Sequence, residues 1–75
     1  MGLHRRNPRT VYDLTRRERQ VLQAAAFGLG VKETAARLGI GAETVKTHRR
    51  SAIMVCDARN TTHAVAIAWR VGMIL

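Results

Sequence analysis

The strongest constraint on the fold is a gap of three residues, Gly39, Ile40 and Gly41, between two stretches with helical periodicity. Apolar residues recur at helical spacing over 31–38 before the gap and over 42–56 after it. Glycine allows the left-handed backbone that ends a helix, and an apolar residue commonly follows it and packs back on the helix. Two helices joined by so short a turn must cross steeply. The pattern therefore predicts a helix-turn-helix within an all-α fold.

Two further helices flank this pair. Thr15 and Glu18 have the spacing of a capping box, and a glycine followed by a leucine closes the periodic stretch, which predicts a first helix over about 16–27. Asn60 is a favourable N-cap for a fourth helix over about 61–72. The sequence thus predicts four helices with short connections.

The chain is predicted to have two parts, a basic flexible arm at 1–13 and a helical domain at 14–75. The arm holds the only proline and three arginines, and it serves either to follow a polyanion or to aid solubility. A single cysteine, Cys56, excludes an internal disulfide and is typical of a reducing compartment. The sequence has neither the apolar core of a signal peptide nor an apolar run long enough to cross a bilayer. We expect a soluble, cytoplasmic protein.

The charge balance indicates the class of partner. Thirteen Lys and Arg residues against five Asp and Glu give a formal charge of +8 in 75 residues. Such an excess attracts a polyanion, and nucleic acid is the commonest one in a cell, although a solvated basic surface without a partner is the alternative. The three aromatic residues are too few to form a set of stacking platforms for single strands or RNA. Duplex DNA is therefore the favoured partner.

Catalytic and metal chemistry find no support in the sequence. The histidines and the cysteine do not have the spacing of a zinc site. The acidic residues are scattered among arginines, and no glycine-rich phosphate loop follows a strand. We expect no enzymatic activity, no metal and no cofactor.

The third helix separates into an inward and an outward face at about 100° per residue. The stripe predicted to face the first two helices consists of Val45, His48, Ala52 and Cys56. The outward face carries Lys46, Thr47 and Arg50. Arginine can pair two ways with guanine O6 and N7, lysine can reach the same atoms, and a threonine methyl can contact a thymine methyl. We predict base contacts for these three residues, the alternative being a solvated charged face.

Contacts with the DNA backbone are predicted for a second set of residues, because a phosphate requires charge or a donor but little exact geometry. This set consists of Arg17, Lys32, Thr44, His48 and Arg49. For Arg17 and Lys32 a solvated surface charge is nearly as good an interpretation. For His48, which lies on the inward stripe, we expect a packed or half-buried ring bonded to backbone or phosphate.

The fourth helix is apolar on all sides, which is more than a helix needs to cover one small core. The second apolar stripe predicts a symmetric dimer, the alternative being a short helix fully absorbed by the core. The predicted dimer interface consists of Ala64, Ile67, Ala68, Trp69 and Val71.

Six segments of the chain together resemble the LuxR-type (GerE-like) DNA-binding domain. They lie at 14–22, 28–29, 32–35, 38–40, 44–48 and 64–65. The resemblance covers about 14–75 and implies a four-helix transcription-factor domain that binds DNA as a dimer, usually through the fourth helix. It also implies that the positions of Lys46, Thr47 and Arg50 approach bases.

The chain departs from this family at several positions. Gly30 and Gly41 occupy positions where the family usually has polar N-caps. His63 occupies a position that is usually acidic, and Val55 and Cys56 occupy positions where the family usually has a basic residue and then a leucine. The sensory or receiver domain usual on the N-terminal side is not part of this sequence. We therefore expect a stand-alone domain and do not carry over control by phosphorylation or by a small signal.

Two other function classes are alternatives to sequence-specific DNA binding. Met54 and Val55 add an apolar end to the third helix, which favours a small interaction protein that binds RNA polymerase, a sigma factor or another regulator. A cationic amphipathic peptide acting on membranes is disfavoured, because the fourth helix carries Arg70 as its only cationic residue apart from a histidine.

Overall fold

The computed structural model describes residues 8–75. Within this range the chain forms a 3₁₀ turn and four α-helices and has no strand, so the prediction of an all-α four-helix fold is confirmed. The turn is Val11–Asp13, and the helices are α1 Arg16–Ala26, α2 Val31–Leu38, α3 Ala42–Val55 and α4 Thr61–Arg70. None of these helices is long and apolar enough to cross a membrane.

All four helices end in the same way, with a left-handed residue followed by a residue whose N–H returns to the helix. The returning hydrogen bonds run from Leu29 to Ala24, Ile40 to Ala35, Ala58 to Ile53 and Met73 to Ala68, at 2.8 to 3.1 Å. Gly72, with φ of 81°, turns the chain out of α4, which is why this helix ends at Arg70 and not at 72 as predicted. Asp57, with φ of 54°, is the one left-handed residue among 8–75 that is not glycine.

The core consists of two clusters that share α1. The larger cluster lies between α1, α3, α4 and the C-terminal segment and contains Leu14, Leu22, Ala52, Val55, Cys56, Ala64, Ala68 and Ile74. The smaller one lies between α1, α2 and α3 and contains Val21, Ala35 and Val45. Both clusters therefore hold α3 from its inner side, because each contains residues of that helix.

Val55 corrects one sequence-based expectation. Its side chain is 5% exposed and belongs to the larger cluster, so it is not part of an apolar end open to a partner. Met54 beside it is 65% exposed, as expected. The difference arises because Val55 lies one turn beyond Ala52 on the inward stripe. The predicted stripe contained Cys56 alone at that end.

The packed structure begins before Leu14, where the sequence placed the boundary of the arm. The Thr10 hydroxyl caps the 3₁₀ turn, Val11 packs against the larger core cluster, and Arg9 pairs with the Glu18 carboxylate on α1. Residues 9–13 are thus attached to the domain and do not form a flexible arm. The rest of the predicted arm, 1–7, lies outside the described residues.

Candidate nucleic-acid interface

The turn between α2 and α3 has the geometry that a helix-turn-helix requires. Gly39 is left-handed, with φ of 69°, and the N–H of Ile40 donates to the Ala35 carbonyl at 3.1 Å. Gly41 is extended and its carbonyl accepts from the Val45 N–H at 3.1 Å, which begins α3. Because Ile40 and Val45 both pack in the smaller core cluster, the outer face of α3 is directed away from the core.

The structure brings Lys46, Thr47 and Arg50 together on that outer face, and all three are exposed. The Thr47 hydroxyl donates to the Glu43 carbonyl at 3.1 Å, and Arg50 Nη2 donates to Thr47 Oγ1 at 3.5 Å. Lys46 Nζ lies 3.2 Å from the Glu43 carboxylate, in a pair that is largely open to solvent. Exposed pairs of this kind contribute little, so Lys46 can exchange Glu43 for another acceptor.

The sequence predicts a contact between Arg49 and the DNA backbone, but the structure turns part of this side chain toward the protein itself. Its side chain is half-buried and Nη2 donates to the Leu29 carbonyl, in the turn between α1 and α2, at 3.2 Å. Its Nε is buried and has no hydrogen-bond partner in the structure. The guanidinium therefore connects α3 to the turn that follows α1. The edge of the guanidinium that carries Nε is not accessible to a phosphate.

Glu18 is the functional residue that sequence reasoning missed, because it was interpreted only as half of a capping box. That box is present, with the Thr15 N–H donating to the Glu18 carboxylate at 2.9 Å. The same carboxylate also pairs with Arg9 and accepts a 2.5 Å hydrogen bond from the Ser51 hydroxyl on α3. The available signal was position, since Glu18 lies one turn before Leu22 on the same face of α1.

The ionisation of Glu18 follows from these partners. At 3% exposure the side chain is buried, and burial by itself raises its pKa. The hydrogen bonds from Arg9, Ser51 and the Thr15 backbone, together with the Arg9 charge, outweigh that effect and lower the pKa of Glu18 to about 2. The carboxylate is therefore charged at neutral pH and holds α3 against α1 through charge-assisted bonds.

The remaining predicted backbone contacts lie near the two helix N-termini or on α1. Lys32 and Thr44 are exposed in the first turns of α2 and α3, whose N-cap glycines provide no side-chain cap. Arg17 is half-buried and donates to Gln20 Oε1 at 3.0 Å. His48 is half-buried on α3, between the inward and outward faces.

The predicted dimer interface needs a correction. Ala64 and Ala68 have no exposed surface, because both are packed in the larger core cluster of their own chain, and so cannot contact a partner. Ile67 is half-buried against the same cluster and Val71 is half-buried. Trp69, at 65% exposure, is the large side chain that α4 presents to solvent.

Comparison with known proteins decides the family. The family model described as bacterial regulatory proteins, luxR family, matches residues 12–68. The chain belongs to the luxR family of bacterial regulatory proteins. Its fold is that of a structure titled transcription factor GerE, with a TM-score of 0.80 and 25% identity over 89% of this chain and 97% of that one.

Individual luxR-family relatives are transcriptional regulators by name. The chain is 40% identical over 60 residues to the uncharacterized transcriptional regulatory protein YxjL of Bacillus subtilis, covering 80% of this chain and 28% of the relative. It is 41% identical over 61 residues to the HTH-type transcriptional activator RamA of Corynebacterium glutamicum, covering 81% and 22%. It thus spans less than a third of the length of these relatives. The chain is thus a luxR-family helix-turn-helix domain of the kind found in transcriptional regulators.

The described part of this luxR-family domain contains no group of three or more His, Cys, Asp or Glu residues placed to hold a metal ion. Cys56 is buried, and burial together with the nearby Glu18 charge raises the pKa of its thiol. A protonated, enclosed thiol is a packing group and a poor nucleophile.

Proposed function

We propose that this luxR-family domain binds duplex DNA sequence-specifically, with α3 in the major groove, and regulates transcription from the bound site. The observation that carries the proposal is the exposed row of Lys46, Thr47 and Arg50 on a helix held rigidly from behind. A base-reading helix needs both properties, since side chains discriminate base edges only when the backbone that carries them is fixed. We also propose a cytoplasmic location, where such a regulator would meet its DNA.

Arg50 is proposed to recognise guanine. Its Nη2 lies 3.5 Å from Thr47 Oγ1 on the outer face of α3, and the two parallel N–H groups of the guanidinium match guanine O6 and N7. Lys46 is proposed to reach a neighbouring acceptor after leaving Glu43, and the Thr47 methyl to contact a thymine methyl.

Phosphate contacts are proposed for Lys32 and Thr44, because each lies in the first turn of a helix whose N-cap is glycine. The first amides of such a helix point outward and favour an anion. Arg17 and His48 are proposed to contact phosphates at the edges of the interface. For Arg49 we propose a mainly bracing role through the Leu29 carbonyl, with its outer N–H groups directed to a phosphate.

We propose that the domain binds as a homodimer through α4, with Trp69 as the central contact. A symmetric pair of domains would read two half-sites on one face of the duplex. The interface would include Ile67 and Val71 at its margin, next to Trp69. Sedimentation equilibrium of wild type and Trp69→Ala, alone and on a two-site duplex, tests this. A strict monomer in both conditions at high concentration would contradict the proposal.

The reading face is tested by Arg50→Lys, which keeps the charge but removes the planar fork. A preferred site is first selected from random duplexes with the wild-type protein. On that site the variant should lose about tenfold or more in affinity, while its affinity for scrambled duplex stays nearly unchanged. Arg37→Lys, at an exposed position in the last turn of α2, is the matched control and should change neither affinity. Equal affinities of Arg50→Lys and wild type for both duplexes would make Arg50 a backbone contact.

A further inference from the structure

A groove of about 230 Å³ lies between α1 and the C-terminal segment, outside the proposed DNA interface. It is lined by Arg16, Arg19, Gln20, Gln23, Met73 and Ile74. Its floor is apolar and its rim is basic, a combination that differs from the uniformly polar row on α3.

The walls of the groove are held in place before any partner arrives. The Gln23 side chain forms two hydrogen bonds with the Leu75 backbone, donating to its carbonyl at 3.0 Å and accepting from its N–H at 2.7 Å. Ile74 is anchored in the larger core cluster, and the Met73 N–H is bonded to Ala68 of α4. The C-terminal segment is therefore fixed along α1, so a partner would not have to order it on binding.

The two arginines on the rim have unused binding capacity. Arg16 and Arg19 are exposed, and neither guanidinium forms an ion pair or hydrogen bond with another residue in the range 8–75. They are three positions apart, so their guanidinium groups lie on neighbouring turns of one helix face. Among the described residues, no Asp or Glu side chain lines the groove.

The groove and the DNA-reading row point in different directions. Glu18 marks the side of α1 that meets α3, through its bond to Ser51. Since successive helix residues differ by about 100°, Arg16 lies about 160° around α1 from Glu18, and Arg19 about 100° from it. The outer face of α3 is likewise turned away from α1. A duplex bound along α3 would therefore leave this rim open.

From these observations we propose that the groove docks an acidic, amphipathic segment of a partner protein. Two carboxylates of the segment pair with Arg16 and Arg19, and an apolar side chain lies on Met73 and Ile74. Charge complementarity selects an acidic partner, and the apolar floor favours a polypeptide over nucleic acid, because a phosphate backbone has no group to fill it. The domain could then hold DNA on one side and the acidic partner on the other.

The probe is a short fluorescein-labelled peptide with Glu and Leu at helical spacing, and its control has Gln in place of every Glu. Both are titrated by anisotropy into the full chain bound to an unlabelled duplex. The Glu peptide should bind and the Gln peptide should not. The double variant Arg16→Ala/Arg19→Ala should weaken Glu-peptide binding about tenfold or more, since it removes charged hydrogen bonds. The control Arg37→Ala/Arg59→Ala removes the same charge from exposed sites outside the groove and should have little effect.

Amide chemical-shift mapping on the wild-type chain makes the test independent of how the variants fold. Shifts should concentrate at 16–23 and 73–75 and should persist with duplex present. Equal weakening by both double variants, shifts centred on α3, or displacement of the peptide by duplex would each overturn the proposal. So would a loss of DNA affinity in Arg16→Ala/Arg19→Ala as large as its loss of peptide binding. Peptide binding is measured separately from DNA binding. A failure of the peptide to bind would therefore contradict this proposal but not the proposed function.

Discussion

Ser51, in the middle of the proposed recognition helix, donates a 2.5 Å hydrogen bond to the carboxylate of Glu18 on α1. Glu18 also binds Arg9 and the Thr15 amide, so one buried carboxylate connects the N-terminal segment, the start of α1 and α3. The orientation of α3 therefore depends on the charge of a residue that is itself far from the outer face. This relationship has consequences for stability that can be measured without DNA.

Stability should depend on pH through Glu18. Its folded-state pKa of about 2 lies below the ordinary value of 4.5, so the ionised form is favoured by folding. The resulting stabilisation is complete above about pH 5 and is lost as the pH falls from there toward 2. Glu18→Gln should lower the free energy of unfolding at pH 7 by about 2–3 kcal/mol, and its stability should fall less than that of wild type on acidification.

Urea denaturation at pH 7, 5 and 3 measures this difference. Glu43→Gln, which alters a carboxylate that is 82% exposed, is the matched control and should follow the wild-type curve. If Glu18→Gln and wild type lose stability in parallel between pH 5 and 3, the Glu18 carboxylate does not hold α3.

Arg49 and Arg50 are adjacent, but their substitutions should affect different quantities. Arg49 should affect the stability of the fold, and Arg50 should affect the affinity for the preferred DNA site. Arg49→Ala removes the bond to the Leu29 carbonyl and should lower the free energy of unfolding by about 1–2 kcal/mol. Arg50→Ala should leave stability within about 0.5 kcal/mol of wild type but cost about 1–3 kcal/mol of binding on the preferred site. Thermal melts and titrations with selected and scrambled duplexes give both quantities. A stable Arg49→Ala with a large loss of DNA affinity would show that Arg49 is a phosphate contact and no brace.

Asp57→Gly should stabilise the protein. Asp57 is held at φ of 54° at the end of α3, a conformation that glycine adopts without strain. Some of the gain is offset by the greater freedom of glycine in the unfolded chain, so we expect about 0.5 kcal/mol net. Gly39→Ala, at φ of 69°, makes the opposite change and should destabilise by about 1 kcal/mol or more. Equal stability of Asp57→Gly and wild type in chemical denaturation would indicate that Asp57 is not strained.

DNA affinity should depend strongly on salt. If the proposed contacts neutralise roughly six phosphates, the affinity should fall by about three orders of magnitude between ~50 and ~200 mM salt. Deleting 1–7, which removes two arginines but keeps Arg9 and its pair with Glu18, tests the N-terminal basic residues separately. A flatter slope would show that they follow the DNA backbone. An unchanged slope would assign them to solubility.

The sequence by itself determined the features that depend on neighbours along the chain. Four helices, the capping box of Thr15 and Glu18, and the turn at Gly39 follow from local backbone preferences and apolar spacing. The outward exposure of Lys46, Thr47 and Arg50 follows from the same periodicity. These features need only the 3.6-residue repeat and the rules for helix ends, so a linear pattern contains them.

Only the tertiary structure decided which of several possible partners each side chain took. Arg49 could reach solvent, a phosphate or the turn after α1, and the packing of α3 on α1 brings the Leu29 carbonyl to it. Ala64 and Ala68 looked available for a dimer until α4 placed them in the core of their own chain. Ser51 meets Glu18 across 33 residues of sequence. Such pairings depend on how helices are oriented to one another, and periodicity along one helix carries no information about that orientation.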